Sequence, residues 1–158
     1  MRGFLSIDKN SESFLSFIMM LTMAALYIAS RNESYLIDWL VCGALFFASN
    51  LSGILATNVD FPSFFHPAFA NACYLAGHAA LFSGVSKCLY NRSMWGVVLI
   101  VFVGIFVMHF VPAMNESIEL RIVVLYPMIA ALDISAMLAL WKYRKEEAGK
   151  AYYLLIIL

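Results

Sequence analysis

Apolar residues in this chain come in long runs, separated by short polar interruptions. A helix that crosses a bilayer needs about 20 mostly apolar residues. Such runs cover about 14–30, 35–56, 67–90, 94–112 and 120–141, and a further apolar run begins at 151–158. Between them lie Arg31-Asn32-Glu33-Ser34, the proline-bearing segment 60–67, Asn91-Arg92-Ser93, Asn115-Glu116-Ser117 and the charged stretch 142–150. No period-two alternation suggests strands or a barrel. The pattern predicts an all-α integral membrane protein in one domain over 1–158: five complete transmembrane helices and the start of a sixth. Eight residues of helix rise only about 12 Å, too little for a hydrocarbon core of about 30 Å, so the chain is expected to be a fragment of a longer protein. The first run is too long for a typical signal-peptide core and follows a tail of mixed charge, which favours a retained helix.

Composition agrees. Hydrophobic residues make up 63% of the chain and charged residues 13%, against roughly 25% charged in soluble domains. The formal net charge is zero, so no nucleic-acid partner is implied. Cys42, Cys73 and Cys88 lie in or beside apolar runs and read as small buried side chains.

Lysine and arginine are unevenly placed. Arg2, Lys9 and Arg121 fall on one side of the predicted membrane, and Arg31, Lys87, Arg92, Lys142, Arg144, Lys145 and Lys150 on the other. The positive-inside tendency places the second set, with loops 31–34, 87–93 and 142–150, in the cytoplasm and the N-terminus outside.

Small residues recur every four positions: Ala72, Ala76, Ala80 and Gly84 in the third run, and Ala44, Ala48, Ser52 and Ala56 in the second. Such stripes let helices approach closely in lipid. They serve a homodimer or ordinary packing within one chain.

Polar groups inside apolar runs are costly. His78 and Asp133 fall near the middle of their runs, at matching depth, and are expected to touch. Asn50 and Asn71 complete a candidate polar core, with Asp38 and His109 nearer opposite ends. The pair reads either as a proton- or ligand-responsive site or as a structural hydrogen bond. A candidate outer mouth for a small-molecule stimulus combines Asp60, Phe64 and His66 with Glu116, Glu119 and Arg121; an aromatic interfacial belt explains part of it equally well. Haem or metal ligation by His66, His78 and His109 is a weaker reading, since no two share i,i+4 spacing. No other cofactor is implied, and no catalytic motif is present, so the chain is not expected to be an enzyme.

Several short motifs resemble a known family. Asp38-Trp39-Leu40 opens a long apolar helix, and Pro62 stands in the following loop. Ala70-Asn71, Ala76-Gly77 and Phe82-Ser83-Gly84-Val85-Ser86-Lys87 mark the third run, and Leu120-Arg121-Ile122-Val123 opens the fifth. Together these resemble the multi-helix membrane sensor at the N-terminus of bacterial diguanylate cyclases, the GGDEF-domain proteins. Cys88 stands where that family has a second basic residue, and His78 lies outside its pattern. The resemblance implies a multi-pass sensory module of the bacterial inner membrane that controls cyclic-di-GMP synthesis. A small transporter or channel subunit, or a stand-alone membrane scaffold, is the alternative.

Overall fold

A computed structural model describes residues 9–58 and 65–143. All secondary structure among them is helical: α1 (Lys9–Ala29), α2 (Tyr35–Asn58), α3 (Phe65–Tyr90), α4 (Trp95–Met108), α5 (Pro112–Glu116) and α6 (Ile118–Tyr143).

Local chemistry sets the boundaries. Asn91 takes a left-handed backbone with φ 54°, which asparagine tolerates better than most residues. Its N–H donates to the Lys87 carbonyl at 3.0 Å and closes α3. Beyond α4, Val111 is extended and Pro112 occupies the first turn of α5, as the restriction on residues preceding proline requires. Ser117 then caps α6: its Oγ accepts the Leu120 N–H at 3.1 Å and donates to Glu119 Oε2 at 3.0 Å.

α3 is the axis of the bundle, packing against α2, α4 and α6, while α1 leans on α2. Ala68, Ala72, Leu75, Ala76, Ala79 and Ala80 have no exposed surface. A helix buried on nearly all sides must be lined with small residues where its neighbours come close. Ala76, Ala79 and Ala80 pack with Cys42 and Val98, and Ala72 and Leu75 pack with Ile105 and Leu125.

The α2–α3 contact follows Trp39, Cys42, Phe46, Ser49 and Gly53. A Cβ added to Gly77 would stand 2.6 Å from the Phe46 ring, and one added to Gly84 would run into the Trp39 indole. Cys42 packs on Ala76 and Ala80, Ser49 bonds the Ala70 carbonyl, and Gly53 lies beside His66. Thus the α3 stripe Ala72, Ala76, Ala80 and Gly84 is fully buried, whereas Ala44 and Ala48 on α2 are half-buried and Ser52 is buried. Gly43, outside both stripes, is where α2 meets the Met20 backbone of α1.

The expectation of five complete transmembrane helices does not hold. Among the described residues two helices are long and apolar enough to cross a membrane, Tyr35–Ala56 in α2 and Ile118–Tyr143 in α6. The apolar part of α1, Ser13–Ala29, and the whole of α4, Trp95–Met108, are shorter. The 14 residues of α4 rise about 21 Å, well short of a hydrocarbon core of about 30 Å. The run 94–112 looked longer because Phe110 and Val111 are apolar although they belong to the turn before α5. α3 has the length, with 26 residues, but its Asn71, His66 and His78, with its glycines and serines, dilute its hydropathy. The expected sixth helix, 151–158, lies outside the described residues.

Candidate functional site

Polar side chains collect against α3 at three levels. At its C-terminal end Asp38, in the first turn of α2, has no exposed surface. A carboxylate there gains from the α2 N-terminus, yet burial demands direct partners as well. Ser83 Oγ donates to Asp38 Oδ2 at 2.6 Å, and Trp95 Nε1 donates to Oδ1 at 3.2 Å. Lys87 Nζ stands 3.6 Å from Oδ1 and also donates to the Ser34 carbonyl at 3.1 Å. Ser83 Oγ in turn accepts the Met94 N–H at 2.9 Å. One carboxylate thereby joins the start of α2, the end of α3 and the start of α4.

In the middle of α3, His78 Nδ1 lies 2.8 Å from Asp133 Oδ1 on α6. With an ionised carboxylate Nδ1–H donates and the oxygen accepts. The His78 side chain is 13% exposed and that of Asp133 is 38% exposed. The Phe46 and Tyr74 rings both meet the imidazole edge-on at 5.0 Å. His78 Nε2 is buried and has no hydrogen-bond partner among the described residues.

Two turns toward the N-terminal end of α3, Asn71 Nδ2 donates to His109 Nε2 at 3.0 Å, while His109 Nδ1–H donates to the Ile105 carbonyl at 2.8 Å. The carbonyl can only accept, so it fixes the proton on Nδ1 and leaves Nε2 as the acceptor. Asn50 is elsewhere: its Nδ2 donates to Ser16 Oγ of α1 at 2.6 Å. The structure therefore brings His78 to Asp133 and Asn71 to His109, and leaves Asn50 in the α1–α2 contact.

Of the candidate outer mouth, Asp60 and Phe64 lie outside the described residues. His66 stands in the first turn of α3, half-buried beside Gly53. Glu116 shares a shallow groove with His109, Phe110, Pro112 and Asn115, whereas Glu119 is engaged with Ser117 in the α6 cap and Arg121 is half-buried one turn into α6. His66 and His78 are twelve positions apart on one helix, about 18 Å of rise, and cannot share an ion. Among the described residues no three His, Cys, Asp or Glu side chains are grouped to hold a metal.

The Asp38 cluster was not legible as a site. Its one visible signal is an acid in the first turn of α2 and a base, Lys87, in the last turn of α3. An antiparallel hairpin brings those two turns together. Ser83 and Trp95 carry no such sign.

Comparisons with protein-family models, curated proteins and solved structures find no match to this chain. The resemblance to diguanylate cyclase sensor regions therefore rests on its short motifs alone.

Proposed function

We propose that the chain is a membrane-embedded sensory input module in which movement of α6 against α3 carries the signal to a cytoplasmic output. The observation that supports this reading most is the His78–Asp133 hydrogen bond. α6 rests mainly on α3 and on the short α5, and this bond is the ionisable tie between the two long helices.

The membrane setting follows from the surface of α6. Only 11% of its most apolar window is buried, and Val123, Ile134 and Leu138 are each more than half exposed. A contiguous apolar face of that kind is unfavourable in water and at home in lipid. Two candidate spans, α2 and α6, support the membrane setting. In the orientation we propose, α3 and α4 run back and forth between the same two levels within the bundle, since Lys87 reaches Asp38 and Ser34, and the basic ends, with Arg31, Lys87, Arg92 and Lys142, face the cytoplasm. The output that the sequence resemblance implies is cyclic-di-GMP synthesis, through a domain beyond these residues.

As a mechanism, the pair is a latch between two arrangements of α6. A stimulus acts by binding one arrangement better than the other. Breaking the pair separates a carboxylate from its donor in a low-dielectric setting, so the step that leaves the closed arrangement is costly. The partial exposure of Asp133 also suits a second reading, a transporter with a polar mid-membrane step. Uptake by proteoliposomes distinguishes the two.

The direct test is a double-mutant cycle with Asp133→Asn and His78→Gln, read as thermal unfolding in nanodiscs. A coupling of about 0.6 to about 1.7 kcal/mol is expected for a side-chain bond inside a membrane. Spin labels at the exposed positions Tyr90 and Trp141 report the α3–α6 distance, which is expected to broaden in Asp133→Asn. An unchanged distribution together with additive energies would sink the latch.

A further inference from the structure

Between the C-terminal ends of α3 and α6 lies a groove of about 600 Å³. Its walls are Phe82 and Met94 on one side and Leu138 and Ala139 on the other, with the Ser86 and Ser135 hydroxyls along them. Arg92 and Tyr90 also line it. The left-handed turn at Asn91 ends α3 and leaves Arg92 beside the groove. Arg92 is exposed and has no ion pair among the described residues, unlike Lys87, which is held by Asp38 and Ser34. Lys142 follows Leu138 and Ala139 by four and three positions on α6, the spacing of one helix face. Tyr143 meets Tyr90 edge-on at 6.3 Å across the same end.

We propose that this groove binds an anionic phospholipid, with an acyl chain along Phe82, Leu138 and Ala139 and the headgroup phosphate on Arg92. The proposal rests on the membrane reading above and adds a ligand to it. The apolar wall accounts for the chain, and the unpaired guanidinium for the charge. A planar guanidinium presents parallel N–H groups that match two phosphate oxygens, and Lys142 adds a second positive charge at the same depth. A free phosphate would leave the apolar wall unused. Basic pockets between membrane helices on the cytoplasmic side are suited to anionic headgroups. A lipid seated there spans the α3–α6 contact and so weighs on the same helix pair that the His78–Asp133 bond ties.

The test uses the full chain, purified from membranes into detergent and offered equal amounts of phosphatidylglycerol and phosphatidylcholine, with retained lipid counted by native mass spectrometry. Each positive charge near a headgroup favours the anionic lipid about fivefold. Wild type is therefore expected to retain phosphatidylglycerol at least about fivefold over phosphatidylcholine. Arg92→Gln is expected to lose most of that preference. Ala139→Trp, which fills the groove, is expected to remove the most tightly held lipid of either kind. Arg31→Gln, an exposed charge outside this groove, is the control and is expected to behave as wild type. Equal retention of the two lipids by wild type, or an equal loss in Arg31→Gln and Arg92→Gln, overturns the site. Carbonate extraction of the membranes is run alongside. Release of the protein by carbonate overturns the membrane reading and the site with it, whereas retention with no lipid preference overturns the site alone.

Discussion

Asp38 has no contact with solvent, and every bond that compensates its burial comes from outside α2: Ser83 and, at 3.6 Å, Lys87 on α3, and Trp95 on α4. Removing the carboxylate leaves an indole N–H and a hydroxyl without an acceptor and a lysine without its counter-charge. Breaking a buried pair costs about 3–5 kcal/mol. Lys87 keeps 18% exposure and a bond to the Ser34 carbonyl, so Asp38→Ala is expected at the lower end, about 3 kcal/mol. Asp38→Asn keeps an oxygen for Trp95 and turns an amide N–H toward Ser83, whose hydroxyl has a lone pair left to accept it. It is expected to cost about 1 kcal/mol. Thermal unfolding in nanodiscs ranks the two. Equal costs for alanine and asparagine would show that Lys87, not the pair of neutral donors, sets the value of the site. The three levels also differ in how visible they were. His78 and Asp133 stood out because ionisable residues are rare in apolar runs. Asp38 was seen as an acid near a helix end, but its partners are a serine, a tryptophan and a lysine that mark many helix ends without meaning.

At the scale of elements, α2 and α3 fit by setting large residues of one against small residues of the other. Phe46 lies on Gly77 and Trp39 on Gly84. Gly84→Ala drives a methyl into the indole ring, and overpacking of this kind costs about 1–3 kcal/mol. Trp39→Leu in the same chain is expected to return most of that loss, whereas Trp39→Leu alone is expected to destabilise by leaving a void. Unfolding midpoints of the four proteins check it, and a double mutant no better than Gly84→Ala would show that the strain is relieved elsewhere. This fit explains which stripes could be read in advance. Ala72, Ala76, Ala80 and Gly84 are all small residues at a period of four, so spacing alone exposes them. The facing set on α2, Trp39, Cys42, Phe46, Ser49 and Gly53, mixes the largest side chains with the smallest and has no compositional signature. All-helical structure was legible from the apolar runs, but helix length was not. Hydropathy continues smoothly through Phe110 and Val111, while the backbone there is already committed to the turn that precedes Pro112.

Taken as a whole, the molecule carries Arg31, Lys87, Arg92 and Lys142 at one end. Arg31 and Ser34 precede α2, Lys87 and Arg92 close α3, and Lys142 lies in the last turn of α6. Lys87 and Asp38 are in direct reach of each other there, so the start of α2 and the end of α3 share one level by contact and not by counting alone. The opposite end, with the α4–α5 turn and the start of α6, carries Arg121 with Glu116 and Glu119. In the proposed orientation the first end is cytoplasmic, because lysine and arginine in short loops resist translocation. Single cysteines at Asn32, Ser93 and Glu116, all exposed positions, test this in a background where Cys42, Cys73 and Cys88 are alanine. Cys42 and Cys73 are buried, and alanine removes their sulfur with a small loss of volume, so the background is first checked for its unfolding midpoint. On intact cells an impermeant thiol reagent is expected to label Glu116→Cys and to spare the other two. Permeabilised cells are expected to label all three. Labelling of Asn32→Cys and Ser93→Cys in intact cells, with Glu116→Cys protected, would invert the molecule and place the Arg92 groove in the outer leaflet. Labelling of Ser93→Cys but not Asn32→Cys would be incompatible with any membrane arrangement of this fold, because the Lys87–Ser34 bond holds their two loops together.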